Sequence, residues 1–267
     1  MKGNNMDQSD QNAFTAARFA DAEREALYKT IFTRRDVRGQ FMPDQISEAV
    51  LSRVLLAAHY APSVGFMQPW NFVVVRSNET KQKVRDLFQT AHDEAANMFE
   101  EARRDTYQNL KLEGIMESPI NICITCDRDR AGPVVLGRTH APAMDIYSSV
   151  CAVQNLWLAA RAEGLGLGWV SIFNHKHLKS ILNLPDRVIP VAYVCLGHVS
   201  HFKDKPELQT AGWNRRVPLG DVVNFEGYEQ GSEDAYASNL LAQIEEDQQK
   251  VEAHGYCGNF VPKEPPN

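Results

Sequence analysis

Three guanidinium side chains, Arg34, Arg35 and Arg38, crowd into the run RRDVRGQF. Their planar N–H forks match the oxygens of a phosphomonoester, which carries roughly −1.5 to −2 charges at neutral pH. Each charge-assisted bond of this kind contributes about 1.5–3 kcal/mol, without strict additivity. The run is therefore a candidate anion site; the plain alternative is a solvated basic turn paired with the chain's many acidic residues. A second candidate lies in the loop APSVGFMQPW, where Ser63 and the amide of Gln68 suit the hydrogen-bonding edge of a heterocycle, unless the segment is only a turn. Gly164, Gly166 and Gly168, in GLGLGW, follow a helix-like run and precede a strand-like one. A dinucleotide fingerprint has the opposite order, with glycines joining strand to helix, so a Rossmann site is not expected. These glycines should instead end the helix and let the chain pack closely.

Two other patterns carry less. Cys123 and Cys126 form a CxxC inside the apolar run INICITC, which reads as a strand. Residues three apart on a strand point to opposite faces and can share neither a metal nor a redox bond. His175 with His177, and His198 with His201, have no carboxylate or thiolate at a ligand spacing, so no metal is expected.

The elements that must position these groups follow from hydrophobic periodicity. Helices are expected from Phe14 to about Phe32, across MPDQISEAVLSRVLLAAHYAP with Pro43 and Asp44 at its start, and over residues 80–113. In the last of these the apolar stripe Ala91, Ala95, Met98 and Ala102 is thin, so the segment should be loosely held. MDIYSSVCAVQNLWLAARAEG reads as a long buried helix ending at Gly164. Strands are expected at NFVVV, INICITC, LGLGWVSIF and VIPVAYVCLGHV, the last after a short helix. Helices alternating with strands indicate an α/β or α+β sandwich of one domain. We read residues 1–13 as a flexible N-terminus, 14–227 as the single domain, and 228–267 as a polar, acidic extension around one helix near Ser238–Ala253.

The chain has 267 residues, 43% of them hydrophobic, and a net charge of −6. That composition excludes general disorder. The acidic balance argues against a nucleic-acid partner, which demands a basic footprint. No apolar run is long enough to cross a membrane, the N-terminus lacks a signal-peptide core, and five cysteines without framework spacing suit a reducing compartment; a cytoplasmic location is expected.

Taken together, the Arg-Arg-x-x-Arg run, APSxxxxQPWxFVVV, GLGLGWV and the late Arg216-Val217-Pro218 resemble the nitroreductase-fold flavoproteins, over about residues 28–222. The resemblance implies an α+β, nitroreductase-like three-layer sandwich with a central mixed sheet flanked by helices, forming an intertwined homodimer with FMN at the interface. It implies that Arg34, Arg35, Arg38 and Arg216 grip the FMN phosphate, with Asp36 and Val37 in the same segment, and that Ser63 and Gln68 approach the ribityl chain and ring.

Within that family, RRDVRGQF, PSVGFMQPW, ESPINI and GWVSIF are similar to the branch that takes reduced FMN as substrate. With molecular oxygen it converts the flavin to the benzimidazole lower ligand of cobalamin and releases erythrose 4-phosphate. An Asp and a Ser distinguish that branch, and the matching positions are Asp36 and Ser171. Cutting the ribityl chain needs a base, a role for Asp36, which the neighbouring arginines should keep ionised. A hydroxyl such as that of Ser171 can donate a hydrogen bond to the reacting ring. The alternatives are an intra-loop salt bridge for Asp36 and a backbone-satisfied strand residue for Ser171.

Because the flavin is consumed, the site must open. Residues 92–113 are a candidate lid, with Met98, Tyr107 and Leu110 as covering residues. A separate flavin reductase would supply the reduced FMN. Two rival activities remain: an FMN-dependent NAD(P)H nitroreductase or flavin reductase, and a non-catalytic FMN carrier.

Overall fold

The structure, a computed structural model, describes residues 19–232 and 234–254. The expected frayed segment at 1–13 lies outside them. The chain divides into two units, one spanning Arg34–Arg216 and the other made of the segments before and after it.

The larger unit is built on a four-stranded sheet: β1 (Trp70–Val75), β2 (Ile120–Asp127), β3 (Gly166–Val170) and β4 (Val188–Gly197), in the order β1-β2-β4-β3. All three pairings are antiparallel, and among the described residues parallel pairing is confined to a bridge between Asp36 and Leu167. One face carries α2 (Glu48–His59) and α5 (Met144–Ala162). Val54, Ala58, Ala152, Val153 and Leu156 pack there against Ile122, Ile124, Leu167 and Val194. The opposite face carries α3 (Asn78–Ala96) and α6 (His175–Ile181), whose Val84, Phe88 and Leu178 meet Cys123, Val170, Tyr193 and Cys195. Both faces are covered, which is why β2 reads as an almost unbroken apolar run. The alternation of β2 puts Cys123 in this second layer, while Cys126 bonds Ser149 of α5 on the other face. Burial pushes the Cys123 thiol up to about 12.

Several boundaries differ from the sequence reading. α2 starts after Ser47, whose hydroxyl accepts from the Val50 N–H, so Pro43 and Asp44 lie outside the helix. The 80–113 segment is two helices, α3 and α4 (Glu101–Asn109), separated by a turn at 97–100. Arg104 closes that turn, donating from Nε to the Ala96 carbonyl at 3.1 Å and from Nη2 to the Phe99 carbonyl at 3.1 Å. Nor is the segment loosely held. The buried face of α3 is Lys81, Val84, Phe88 and Ala96 rather than the Ala91–Ala95–Met98 stripe. Tyr107 is buried, stacked on His92 at 4.7 Å and packed on Phe99 at 4.9 Å, while Trp213 meets the Phe99 ring edge-on at 5.3 Å. A stripe counted along one helix misses partners that arrive from far along the chain. α5 ends as expected, with Gly164 in the left-handed region at φ +77°.

In the smaller unit, α1 (Asp21–Thr33) falls in the expected helical stretch, of which residues 14–18 lie outside the described ones, and α8 (Ala235–His254) covers the expected C-terminal helix. The Leu219 N–H donates to Gln248 of α8 at 2.6 Å, and Tyr28 stacks on Phe32 within α1. Among the described residues no helix is long and apolar enough to cross a membrane.

Candidate active site

The segment Arg34–Arg38 lies along β3. The Val37 N–H donates to the Leu167 carbonyl at 2.9 Å, extending the Asp36–Leu167 bridge. Glycine is required opposite it. A Cβ at Gly168 would sit 2.0 Å from the Val37 carbonyl oxygen, and one at Gly166 would sit 2.3 Å from Val199. The close packing expected of GLGLGW is therefore what lets the arginine run approach the sheet.

That approach fixes Asp36. Its Oδ1 accepts from the Trp169 backbone N–H at 2.9 Å, and its Oδ2 accepts from Arg38 Nη2 at 2.7 Å. Burial raises the carboxyl above its ordinary value, opposed by Arg38 and by the Trp169 N–H. The arginines are therefore not the only influence on Asp36: burial acts against them. Arg38 is itself buried and shared, with Nη1 3.7 Å from Glu207 Oε2. It is directed at two carboxylates, whereas Arg34 and Arg35 belong to a separate cationic cluster.

In that cluster the Arg34 guanidinium lies over the Trp157 ring at 4.8 Å, and Trp157 Nε1 donates to the Arg35 carbonyl at 3.3 Å. Burial and then Arg216 lower the Arg34 pKa; burial, Arg161, Arg216 and Arg34 lower that of Arg35. Arginines that destabilise one another's charge form a field in need of an anion. The buried Nε of Arg34 has no hydrogen-bond partner among the described residues, a donor that a phosphate oxygen would satisfy. Arg161, near the C-terminus of α5 and 4.0 Å over the Phe202 ring, belongs to this cluster and was missed from sequence. Its only signal there was a cation interrupting the most apolar helix.

The other expected residues are placed as follows. The Ser63 hydroxyl accepts from the Gln68 N–H at 3.0 Å, and the Val64 N–H donates to Ser148 of α5 at 3.2 Å, so the loop is tied to the first part of α5. Gln68 adopts a left-handed φ of +48°, and its carbonyl accepts from Arg130 at 3.0 Å. Ser171 lies just past the end of β3 and is exposed, not within the strand as its run suggested; its carbonyl accepts from the Phe173 N–H. Met98 stands exposed in the turn after α3, and Leu110 is half-buried at the end of α4. A cavity of about 100 Å³ opens beside Asp36, lined among others by Arg35, Arg38, His201, Lys203 and Glu207.

The sequence pattern of the nitroreductase family matches residues 31–198, which takes in the arginine run, the Ser63 loop and the whole sheet. The chain belongs to the nitroreductase family. Among relatives in that family, a 5,6-dimethylbenzimidazole synthase of Rhodospirillum rubrum is 38% identical over 204 residues, covering 76% of this chain and 96% of the relative. Two solved structures share the fold. A BluB-like flavoprotein from Clostridium difficile has a TM-score of 0.58 at 18% identity, covering 75% of this chain and 99% of its own. Iodotyrosine deiodinase bound to FMN and 3-iodo-L-tyrosine has a TM-score of 0.60 at 18% identity, covering 76% and 100%.

Proposed function

We propose that this chain is an oxygen-dependent oxidoreductase that fragments reduced FMN to 5,6-dimethylbenzimidazole, with release of erythrose 4-phosphate. The observation that carries the reading is Asp36: a carboxylate held by one guanidinium and one backbone N–H, beside an arginine cluster with an unmatched donor. The synthase relative from Rhodospirillum rubrum supports the same reading.

Arg34, Arg35, Arg161 and Arg216 would hold the phosphate, and the Ser63–Gln68 loop would meet the ring end. The two anchor points lie at Trp157 and Ser148 of α5, about 13 Å apart along the helix axis, a separation suited to an extended flavin mononucleotide. When bound, the reduced flavin supplies the electrons for oxygen and the atoms of the product. Asp36 would take a proton from a ribityl hydroxyl, for which its raised pKa makes it a stronger base than an ordinary aspartate. Ser171 would donate a hydrogen bond at the ring.

The cavity beside Asp36, about 100 Å³, is well below the roughly 300–1,000 Å³ of a cofactor pocket, which supports a site completed by a second copy of the chain. Tyr147 and Val150 on the exposed face of α5 offer apolar surface for such a homodimer. Residues 92–113 are the candidate lid, and equal hydrogen exchange with and without flavin would exclude that role. Free Cys123, Cys126, Cys151 and Cys195 are consistent with a cytoplasmic setting, where a separate flavin reductase would supply the substrate.

The test is a product assay. Reduced FMN is mixed with the protein, air is admitted, and the products are separated and weighed by mass spectrometry. A new benzimidazole is expected. Intact FMN would refute the synthase reading, and steady NADPH oxidation with a nitroaromatic would then mark a reductase.

A further inference from the structure

Glu207, the first residue of the short helix α7 (Glu207–Thr210), comes from a part of the chain with no sequence link to the arginine run. Its carboxylate nevertheless faces the same guanidinium as Asp36. Arg38 Nη2 is 2.7 Å from Asp36 Oδ2, while Nη1 is 3.7 Å from Glu207 Oε2. Oε2 of Glu207 is buried and has no hydrogen-bond partner among the described residues. Its Oε1 is engaged instead, accepting from Gln40 Nε2 at 3.4 Å and from the ammonium of Lys203. One cation thus serves two carboxylates, and a second cation, partly exposed, competes for the outer one.

We infer that Glu207 is a positioning residue for Asp36: it divides the Arg38 guanidinium between two carboxylates and so sets how strongly Asp36 holds a proton. The inference rests on the reading of Asp36 as a base. The physical reason is that charges inside a protein are weakly screened. A like charge on the far side of a buried guanidinium offsets part of the attraction that guanidinium exerts.

Other charges around Asp36 must be counted. Its own segment brings Arg34, Arg35 and Arg38; β3 brings the Trp169 N–H; β4 brings the Cys195 thiol. The cavity wall adds His201, Lys203 and Lys205. Of these groups, Glu207 is the anion that raises the Asp36 carboxyl, against Arg38 and the Trp169 N–H, which lower it. Lys203 acts on Asp36 through Glu207, with the opposite sign.

Two variants therefore shift Asp36 in opposite directions. Glu207→Gln leaves Arg38 wholly to Asp36 and should lower its protonation midpoint by about one pH unit. Lys203→Met, at a partly exposed position, frees the Glu207 charge and should raise the midpoint. Glu207→Asp should restore the wild-type value.

The midpoint is read in the flavin-free protein by infrared difference spectroscopy against Asp36→Asn, and again as the acid limb of product formation against pH. Opposite displacements in Glu207→Gln and Lys203→Met support the inference, and any other pattern overturns it. If Glu207→Gln does not fold, the sign of the Lys203→Met shift decides alone. Full product formation by Asp36→Asn would instead refute the base assignment, while the infrared midpoints would still report on Glu207.

Discussion

Two carboxylates of the larger unit, Asp145 and Asp36, meet arginines, and they do so in opposite ways. Asp145, in the first turn of α5, has no exposed side-chain surface and is clasped by Arg128 Nε at 2.9 Å and Arg138 Nη1 at 3.1 Å. It also accepts the Ile146 N–H at 2.7 Å, and Arg138 ties onward to the Gly132 carbonyl. The carboxylate is turned fully inward, and its two arginines hold the 128–143 loop. Asp36 has one guanidinium, which it shares, and about a third of its side chain (33%) remains accessible beside a cavity. The same residue types form a structural clasp where two cations face one anion and water is shut out. They form a reactive site where the anion is undersupplied and open on one side.

Activity separates the two aspartates most strongly. Asp36→Asn should reduce benzimidazole formation by about 10²–10⁴-fold, the usual worth of a general base, while FMN binding followed by flavin fluorescence changes little. Asp145→Asn should behave the other way. It leaves two guanidiniums beside a neutral amide and should cost about 3–5 kcal/mol in denaturant unfolding, with activity per folded molecule retained.

Arg161→Ala probes the cluster rather than the base. Losing one charge-assisted contact should weaken FMN binding by about tenfold or more in a fluorescence titration, with a shallower salt dependence. The smallest effect is in stability against pH. The folded-state pKa of Asp36 is raised, so its ionisation disfavours the folded protein as pH rises above the ordinary aspartate value of 3.8. Asp36→Asn should therefore gain stability relative to wild type as pH climbs through and above that value, with the gain vanishing in acid. A constant difference across pH would contradict the raised pKa.

Much of this arrangement was legible in sequence because its signals are local. The arginine run, the strand INICITC, the helix ending at Gly164 and the close packing of GLGLGW each depend on residues near one another in the chain. Arg161 and Glu207 were not legible in the same way. Their roles come from the charges of Arg35 and Arg38, more than a hundred residues away, and an isolated Arg or Glu has no pattern. The break between α3 and α4 was hidden for a related reason. Composition favoured helix throughout 80–113, while the turn depends on Arg104 folding back onto Ala96 and Phe99. Asp36 and its arginine neighbours were legible, but counting nearby cations leaves out the burial of the carboxylate, which acts in the opposite direction.

The most direct test of the account compares the two aspartates in a single turnover. Equal amounts of folded wild-type protein, Asp36→Asn and Asp145→Asn are given one equivalent of reduced FMN, exposed to air and analysed by mass spectrometry. The account predicts benzimidazole from wild type and Asp145→Asn, with intact FMN recovered from Asp36→Asn. Benzimidazole from Asp36→Asn at the wild-type level would contradict it.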